Sequence, residues 1–199
     1  MTTRGPYRLK RRAESQAETR LKIVAATVAL HRTVGPAHTT ISAIAARAGV
    51  QRLTVYRHFP DEMTLFTACS GHFLAINPIP DPAPWREIAD PLRRLEVGLT
   101  ALYGYFSRTG DLWSAVLRDA ELHEPTRRIL EKRDGPWREV RDALTEGFTL
   151  RGKRRKLVAA AVAHAVDFRT WQSLSDGGLA SAQIVELMLA MVRGAGGER

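Results

Sequence analysis

The segment TISAIAARAGVQRLTVYRHF, residues 40–59, decides the fold of this 199-residue chain. Thr40 stands where a helix N-cap is expected. Four apolar residues then recur at helical spacing: Ile41, Ile44, Ala45 and Ala48. Gly49 supplies a helix stop, because only glycine enters the left-handed conformation without strain. Residues 51–58 then predict a second helix of about two turns.

Neither of these two helices is long enough to be stable alone, and the turn between them is tight. Two helices joined in this way pack at a steep angle, which is the helix-turn-helix geometry. The second helix then projects and can enter the major groove of DNA. We expect Leu53 to point inward, with Phe59 just beyond the end of the helix.

Polar side chains that can contact DNA occupy the outer surfaces of the second helix: Gln51, Arg52, Thr54, Tyr56, Arg57 and His58. Arginine and glutamine can read base edges, whereas threonine, tyrosine and histidine mostly hydrogen-bond to phosphate. A solvated polar helix is the alternative interpretation of this segment taken by itself.

The segment Thr40–Leu65 resembles the DNA-binding signature of the tetracycline-repressor (TetR) family. In that signature a threonine opens the second helix, Ile-Ala and Ala-Gly-Val follow, and a threonine, an aromatic residue and a phenylalanine come after them. The chain supplies these residues in register: Thr40, Ile44-Ala45, Ala48-Gly49-Val50, Thr54, Tyr56, His58 and Phe59, and then Leu65 and Phe66. The resemblance covers about a quarter of the chain, and the remainder is similar to the family only in length and helical style.

The resemblance implies an all-α, homodimeric DNA-binding regulator of about nine helices. Residues 1–60 would form a three-helix helix-turn-helix head with a basic N-terminal arm, and residues 61–199 an effector-binding and dimerisation domain. Within the second domain, residues 61–76 would be a linking helix, and the last two helices, at about 154–192, would form a four-helix dimer interface. The DNA contacts would come from Thr40, Gln51, Arg52, Leu53, Thr54, Tyr56, Arg57 and His58. A two-fold dimer presents two heads side by side, so the operator should be palindromic.

Two residues depart from the family pattern. Gln51 replaces the usual small capping residue, so we expect the start of its helix to depend on packing of Val50 or on DNA. Glu62 replaces a basic residue that reaches phosphate, so we expect one backbone contact to be missing. Asp61 fits the N-cap of the next helix, and Glu62 then suits the positive end of the helix dipole.

The positive charge is concentrated in the first 60 residues, which carry 11 lysines and arginines against two acidic residues. The net charge of +9 therefore belongs to this segment, and residues 61–199 are neutral. Such a distribution is typical of a nucleic-acid-binding head on a neutral body. Residues 1–12 are polar and unpatterned, so we expect a disordered arm, either a solvated tail or one that enters a minor groove.

Cysteine usage and hydropathy bear on the compartment of the protein. The single cysteine, Cys69, excludes an intramolecular disulfide, and a cysteine on an apolar helix face is more often core than a redox sensor. No secretory signal and no spanning segment is recognisable. We therefore expect a cytoplasmic protein.

Apolar periodicity predicts the remaining helices and their limits. The expected helices cover residues 13–34, 61–76, 92–109, 111–122, 124–148 with an interruption at Gly135-Pro136, 154–174, and 182–192. The proline-rich segment 77–84 predicts an extended connection, and 151–153 a loop. In the helix 154–174 apolar residues occupy two sides, which indicates burial against both its own domain and a second subunit.

Aromatic residues of the second domain suggest a ligand site, whereas no catalytic pattern is present. The candidates for a small-molecule pocket are Trp113, Trp137, His164, Phe168 and Trp171; each taken singly is more typical of plain core. The sequence contains no GxSxG, P-loop, glycine-rich nucleotide fingerprint or HExxH motif. Glu121, His123 and Glu124 are more typical of helix capping than of a metal site. We therefore expect no enzyme activity, cofactor or metal.

The sequence thus predicts a transcriptional repressor that a small-molecule effector releases from a palindromic DNA operator. Two alternatives remain open. The first is an architectural or global DNA-binding protein without an effector. The second is a ligand-binding or enzymatic helical body with an incidental basic head, which would show no salt-dependent DNA binding.

Overall fold

The computed structural model describes the backbone of residues 4–149 and 151–197 and the side chains of residues 10–149 and 151–197. Within these residues every regular element is helical, which confirms the predicted all-α class. The described part of the chain forms ten α-helices rather than about nine: α1 Arg4–Thr33, α2 Ile41–Ala48, α3 Arg52–His58, α4 Glu62–Ile76, α5 Pro91–Asp119, α6 Glu124–Lys132, α7 Asp134–Thr145, α8 Gly152–Ala165, α9 Phe168–Asp176 and α10 Ser181–Gly196. Short 3-10 turns lie at Pro36–His38 and Ala83–Glu87.

The chain forms two compact units. The first unit contains α1–α4 together with Ser114–Glu131, which is the end of α5 and most of α6. The second contains Asn77–Trp113 and the chain from Lys132 onward. These units are defined by packing, so the division into a DNA-binding domain at 1–60 and an effector domain at 61–199 stays a prediction.

Helices α1–α4 share one apolar core in the first unit. Its buried members are Ile23, Val24, Ile44, Ala45, Val55, Phe59, Leu65, Phe66 and Cys69. Burial of the Cys69 thiol raises its pKa to about 12. A thiol with so high a pKa is poor in the reactive thiolate form, so the structure favours the core role of Cys69 over the redox-sensor role.

The expected disorder of residues 1–12 is wrong for the described part of that segment, because α1 begins at Arg4. Pro6 lies in the first turn, where its missing N–H costs no hydrogen bond. Residues 8–12 are leucine, lysine and arginines, which are good helix formers, and neither glycine nor proline separates them from the predicted helix at 13. Residues 1–3 lie outside the described residues.

Gly110 does not end a helix as predicted, and α5 runs unbroken from Pro91 to Asp119. A Cβ atom at position 110 would lie only 3.3 Å from Cζ3 of Trp171. The glycine therefore permits a close approach of the Trp171 ring, which is a packing role that periodicity does not reveal. The interruption predicted at Gly135-Pro136 is also misplaced. These two residues lie in the first turn of α7, and Arg133 separates α6 from α7.

The helix predicted at 154–174 is two helices, α8 and α9. Asp167 has extended backbone angles, and its carboxylate accepts hydrogen bonds from the backbone N–H groups of Arg169 and Thr170, at 2.7 and 3.4 Å. This arrangement is an N-cap, so a new helix begins there. The region 154–192 consequently spans three helices, and α8 rather than α9 makes the more extensive packing with α10. The predicted loop at 151–153 is also wrong from Gly152, where α8 starts.

The core of the second unit follows the first two thirds of α5. Six of its side chains there are almost wholly buried: Leu95, Leu99, Leu102, Tyr103, Tyr105 and Phe106. The Tyr103 hydroxyl donates a hydrogen bond of 2.8 Å to the carbonyl of Ala165, which joins α5 to the end of α8. Burial raises the pKa of Tyr103, so this hydroxyl keeps its proton at neutral pH.

Candidate nucleic-acid interface and aromatic cluster

Helices α2 and α3 form the predicted helix-turn-helix. The Thr40 hydroxyl accepts a hydrogen bond of 3.1 Å from the backbone N–H of Ala43, which caps α2 as expected. Gly49 ends α2 in the left-handed conformation, with φ 67° and ψ 34°. Only Val50 and Gln51 separate this glycine from α3, so the two helices are joined by a tight turn.

Val55, not Leu53, is the inward residue of α3. Val55 is fully buried in the first unit, whereas Leu53 is 76% exposed, so the predicted inward orientation of Leu53 is wrong. The two residues are separated by two positions, or about 200° around a helix, and therefore lie on opposite sides. Val55 is the other aliphatic residue of this short helix, and it belongs to the core shared by α1–α4.

The outer surface of α3 is polar apart from Leu53 and the ring of Tyr56. Gln51, Arg52, Tyr56 and Arg57 are exposed, and Thr54 and His58 are partly buried; Thr40, before α2, is also exposed. Burial lowers the pKa of His58, and the positive charges of Arg57 and Arg20 lower it further. His58 is therefore neutral at pH 7, and it can contact a phosphate only as a neutral hydrogen-bond donor.

The start of α3 has no side-chain cap, in agreement with the poor capping ability expected of Gln51. The backbone carbonyl of Gln51 accepts the first helical hydrogen bond, from the N–H of Thr54 at 2.9 Å. Val50 packs against the core of the first unit, and its N–H donates to the carbonyl of Ala45 at 3.0 Å. The packing of Val50 thus supports the start of α3.

Arg20 of α1 holds the end of α3, and sequence reasoning missed it. Its Nη1 donates a hydrogen bond of 2.8 Å to the carbonyl of His58, the last residue of α3. Its guanidinium carbon lies 4.0 Å from the centroid of the Phe59 ring, in a cation–π contact. The positive charge also lies at the negative end of the α3 dipole. Arg20 and His58 are 38 positions apart, so no local pattern indicates this contact.

A second fixing point, also missed from the sequence, lies in the turn between α1 and α2. The carboxylate of Asp119, at the end of α5, accepts a hydrogen bond of 2.9 Å from the backbone N–H of Ala37. Arg118 donates to the same carboxylate from Nε, at 2.8 Å. Burial alone would raise the pKa of Asp119, but the hydrogen bonds from Arg118 and Ala37 lower it below its usual value. Asp119 is therefore charged and holds the turn that leads into the helix-turn-helix.

The start of α4 follows the prediction. The Asp61 carboxylate accepts a hydrogen bond of 2.6 Å from the backbone N–H of Thr64, which also holds the pKa of Asp61 below its usual value. Glu62, in the position where the family resemblance would put a phosphate contact, has its carboxylate 3.3 Å from Nε2 of His123. Glu62 thus has a partner within the first unit.

Four of the five predicted ligand-site residues meet in the second unit. Trp113 lies 5.5 Å from Trp137 and 6.4 Å from Phe168, and Phe168 lies 5.6 Å from Trp171, all between ring centroids. We call these four residues, together with Tyr105 and Phe106, the aromatic cluster. His164 does not join it: this histidine is exposed at the end of α8, where its Nδ1 lies 3.1 Å from the hydroxyl of Thr170.

One polar atom in the aromatic cluster has no protein partner. The indole nitrogen Nε1 of Trp171 is buried and makes no hydrogen bond, and the residue as a whole is 8% exposed. By contrast, Nε1 of Trp113 donates to the hydroxyl of Tyr105 at 3.3 Å. A buried N–H group without an acceptor is unfavourable by about 1–3 kcal/mol, so the Trp171 indole is a site where an acceptor would bind favourably.

Two further features of the described residues concern other kinds of site. No group of three histidine, cysteine, aspartate or glutamate side chains lies close enough together there to hold a metal ion. None of the helices, over the residues described, combines the length and apolar character needed to cross a bilayer.

Comparison with known proteins is consistent with this geometry. Residues 23–69 match the family model described as bacterial regulatory proteins, tetR family. No curated protein sequence matches the chain at a significant level. Among solved structures, the chain is similar to NalD of Pseudomonas aeruginosa, the secondary repressor of the MexAB-OprM multidrug efflux pump, with 23% identity, a TM-score of 0.65, and coverage of 91% of this chain and 97% of that chain.

Two other solved structures share the fold. A TetR-like transcriptional regulator from Rhodococcus is 20% identical, with a TM-score of 0.64 and coverage of 90% of this chain and 97% of that chain. A TetR transcription regulator from Haloarcula marismortui is also 20% identical, with a TM-score of 0.59 and coverage of 91% and 97%. The similarity therefore extends over nearly the whole length of these proteins.

Proposed function

We propose that the chain is a homodimeric, ligand-responsive repressor of the TetR family, because its N-terminal helices match the model of that family of bacterial regulatory proteins over residues 23–69. It acts in the cytoplasm, where it binds a palindromic DNA operator and leaves it when an effector binds. The single observation that carries the DNA-binding part is the presentation of α3. Its apolar residue Val55 is buried in the first unit, while Arg52, Tyr56 and Arg57 face outward.

The proposed roles on DNA follow from side-chain chemistry. Gln51, Arg52 and Arg57 read base edges, since their amide and guanidinium groups can form paired hydrogen bonds with purines. The hydroxyl and imidazole donors contact phosphate: Thr40, Thr54, Tyr56 and His58. Because Arg52 and Arg57 also add positive charge, they contribute to the salt dependence of binding.

Binding should be tight, specific and dependent on salt. Fluorescence anisotropy of the protein on its own upstream DNA, with scrambled competitor, should give two protomers per site and a log–log salt slope of several units. Arg57→Ala should weaken the specific complex by about 1–3 kcal/mol per head and relax the sequence preference. Arg93→Ala, which removes an equal charge from the exposed surface of α5 in the second unit, is the control and should leave binding unchanged.

Other outcomes of this titration would select the alternatives. Weak binding that is indifferent to sequence and to Arg57→Ala would indicate an architectural protein. Absence of binding at low salt would contradict a DNA-binding function and direct attention to the second unit.

Dimerisation is proposed through α8 and α10. These two helices pack against each other, and each leaves one leucine nearly half exposed, Leu157 at 46% and Leu187 at 44%. On α8, Val158 and Val162 are buried within the unit, which leaves the face with Leu157 for a second copy. The stoichiometry of two protomers per operator is the readout of this part of the proposal.

The effector is proposed to bind at the aromatic cluster. Its rings offer apolar walls, and the unpartnered Nε1 of Trp171 offers one hydrogen-bond donor, which is the usual composition of a small-molecule site. We infer that the effector is a largely apolar, at least partly aromatic molecule that carries a hydrogen-bond acceptor. Its binding would favour a conformation of the dimer with lower DNA affinity.

Two probes of the same shape test the donor role of Trp171. Quinoline has a ring nitrogen that accepts a hydrogen bond, and naphthalene does not. Quinoline should bind more tightly by about 1 kcal/mol, or roughly fivefold, in a titration followed by tryptophan fluorescence. Trp171→Phe should abolish the difference, whereas Trp137→Phe should preserve it. Equal affinity of the two probes for the unmodified protein would contradict the proposed donor.

A further inference from the structure

An apolar side chain stands on the surface of α3 that the proposed function turns toward DNA. Leu53 is 76% exposed, and Tyr56, one turn later on the same side, is 46% exposed. The packing of the first unit does not require a leucine at position 53, because Val55 supplies the inward contact. The neighbours of Leu53 in sequence, Arg52 and Thr54, are polar.

The chemistry of leucine limits what Leu53 can do in a major groove. It has no donor for phosphate and none for a base edge, so it cannot share the roles proposed for its neighbours. The edges of the base pairs in the major groove present hydrogen-bonding groups and one apolar group, the C5-methyl of thymine. Contact between a leucine side chain and this methyl group removes apolar surface of both from water.

We propose that Leu53 is a specificity-determining residue that recognises the C5-methyl group of a thymine in each half of the operator. The proposal rests on the DNA-binding function and deepens it, because it assigns one base of the site to one side chain. The position of Leu53 near the start of α3 supports it, since residues at the beginning of a recognition helix are those that approach base edges.

The test removes the methyl group without changing base pairing. The preferred DNA sequence is first selected from a random pool with the full-length protein, and each dT is then replaced by dU in both half-sites. At one symmetric pair of positions, dU should weaken binding of the unmodified protein by about fourfold for each methyl group removed, or about fifteenfold in all. The Leu53→Ala variant should bind operators with dT and with dU at that pair of positions equally tightly. Its affinity for the dT operator should be lower than that of the unmodified protein by at least the same factor of about fifteen.

Matched variants separate this role from a general loss of affinity. Leu53→Met keeps an apolar side chain of similar volume and should remain sensitive to dU. Gln51→Ala should weaken binding but keep the same sensitivity, because it alters a different contact. Circular dichroism melting should give the same midpoint for Leu53→Ala as for the unmodified protein, since the exposed side chain contributes little to the core.

Two results would overturn the proposal in different ways. If the protein selects a DNA sequence but Leu53→Ala keeps the dU sensitivity of the unmodified protein, or no dT position responds, the role of Leu53 is wrong and the DNA-binding function stands. If the protein selects no DNA sequence, both the role of Leu53 and the proposed function are wrong.

Discussion

Replacing Gly35 with alanine is expected to lower the free energy of unfolding by at least about 3 kcal/mol. Gly35 precedes the 3-10 turn between α1 and α2 with φ 89° and ψ 160°, a backbone conformation that is almost restricted to glycine. A Cβ atom there would also collide with the side-chain atoms of Arg118 and Asp119. The substitution therefore combines backbone strain with displacement of the buried carboxylate that holds the Ala37 N–H.

Chemical denaturation of matched variants measures this effect. Gly49→Ala places a Cβ at another position of positive φ, 67°, but with no atom within 4 Å, so it should cost only about 1–2 kcal/mol. Asp119→Ala removes one of the colliding groups, so the cost of Gly35→Ala together with Asp119→Ala should be less than the sum of the single costs. If Gly35→Ala and Gly49→Ala were equally mild, the contact with Asp119 would not matter for stability.

The head of the molecule was predictable because its signals are local. The Thr40 cap and the left-handed Gly49 lie within one turn of the helix ends they form, and so does the Asp61 cap of α4. Each acts on backbone groups two to four residues away, so a single sequence is enough to read it. The assignment of DNA contacts to particular residues of α3 stays a prediction, because it depends on DNA that is outside the chain.

The misread features have different physical causes. Gly110 looked like a helix stop, but its role is to let the ring of Trp171 approach, and this partner is 61 positions away. Asp167 is a local signal that the apolar pattern of 154–174 obscures: a cap inside an apolar run starts a new helix as effectively as a cap after a loop. Leu53 was misplaced because α3 is so short that its apolar pattern fits two orientations, and only packing against α1 and α2 selects Val55.

Contacts between distant segments could not be read at all. Asp119 and Ala37 are separated by 82 positions, and no sequence pattern around either residue predicts their contact. The same holds for Arg20, which appears in the sequence as one of eleven basic residues in the first 60 and is distinguished only by its contact with the end of α3.

Arg20→Ala is expected to weaken operator binding by about 2 kcal/mol, or roughly thirtyfold. Each head loses about 1 kcal/mol of support for α3, from the hydrogen bond to His58 and the contact with the Phe59 ring, and two heads bind one operator. Without these contacts the end of α3 is less well fixed in the free protein. The free-energy cost of ordering it then reduces the net free energy of DNA binding. Arg20→Lys keeps the charge but not the flat guanidinium, so its operator affinity should lie between that of the unmodified protein and that of Arg20→Ala.

The salt dependence of binding distinguishes positioning from direct contact. If Arg20 acts by holding α3, Arg20→Ala should lower affinity at every salt concentration and leave the log–log slope unchanged. If Arg20 instead contacts phosphate, the slope should decrease by about 1.8, since two charges leave the interface. Lys22→Ala is the control on the same helix, because Lys22 pairs with Glu18 at 2.9 Å and does not hold α3, and it should change affinity by less than about twofold. A Lys22→Ala loss as large as that of Arg20→Ala would show that the charge of α1, rather than the geometry at the end of α3, determines the affinity.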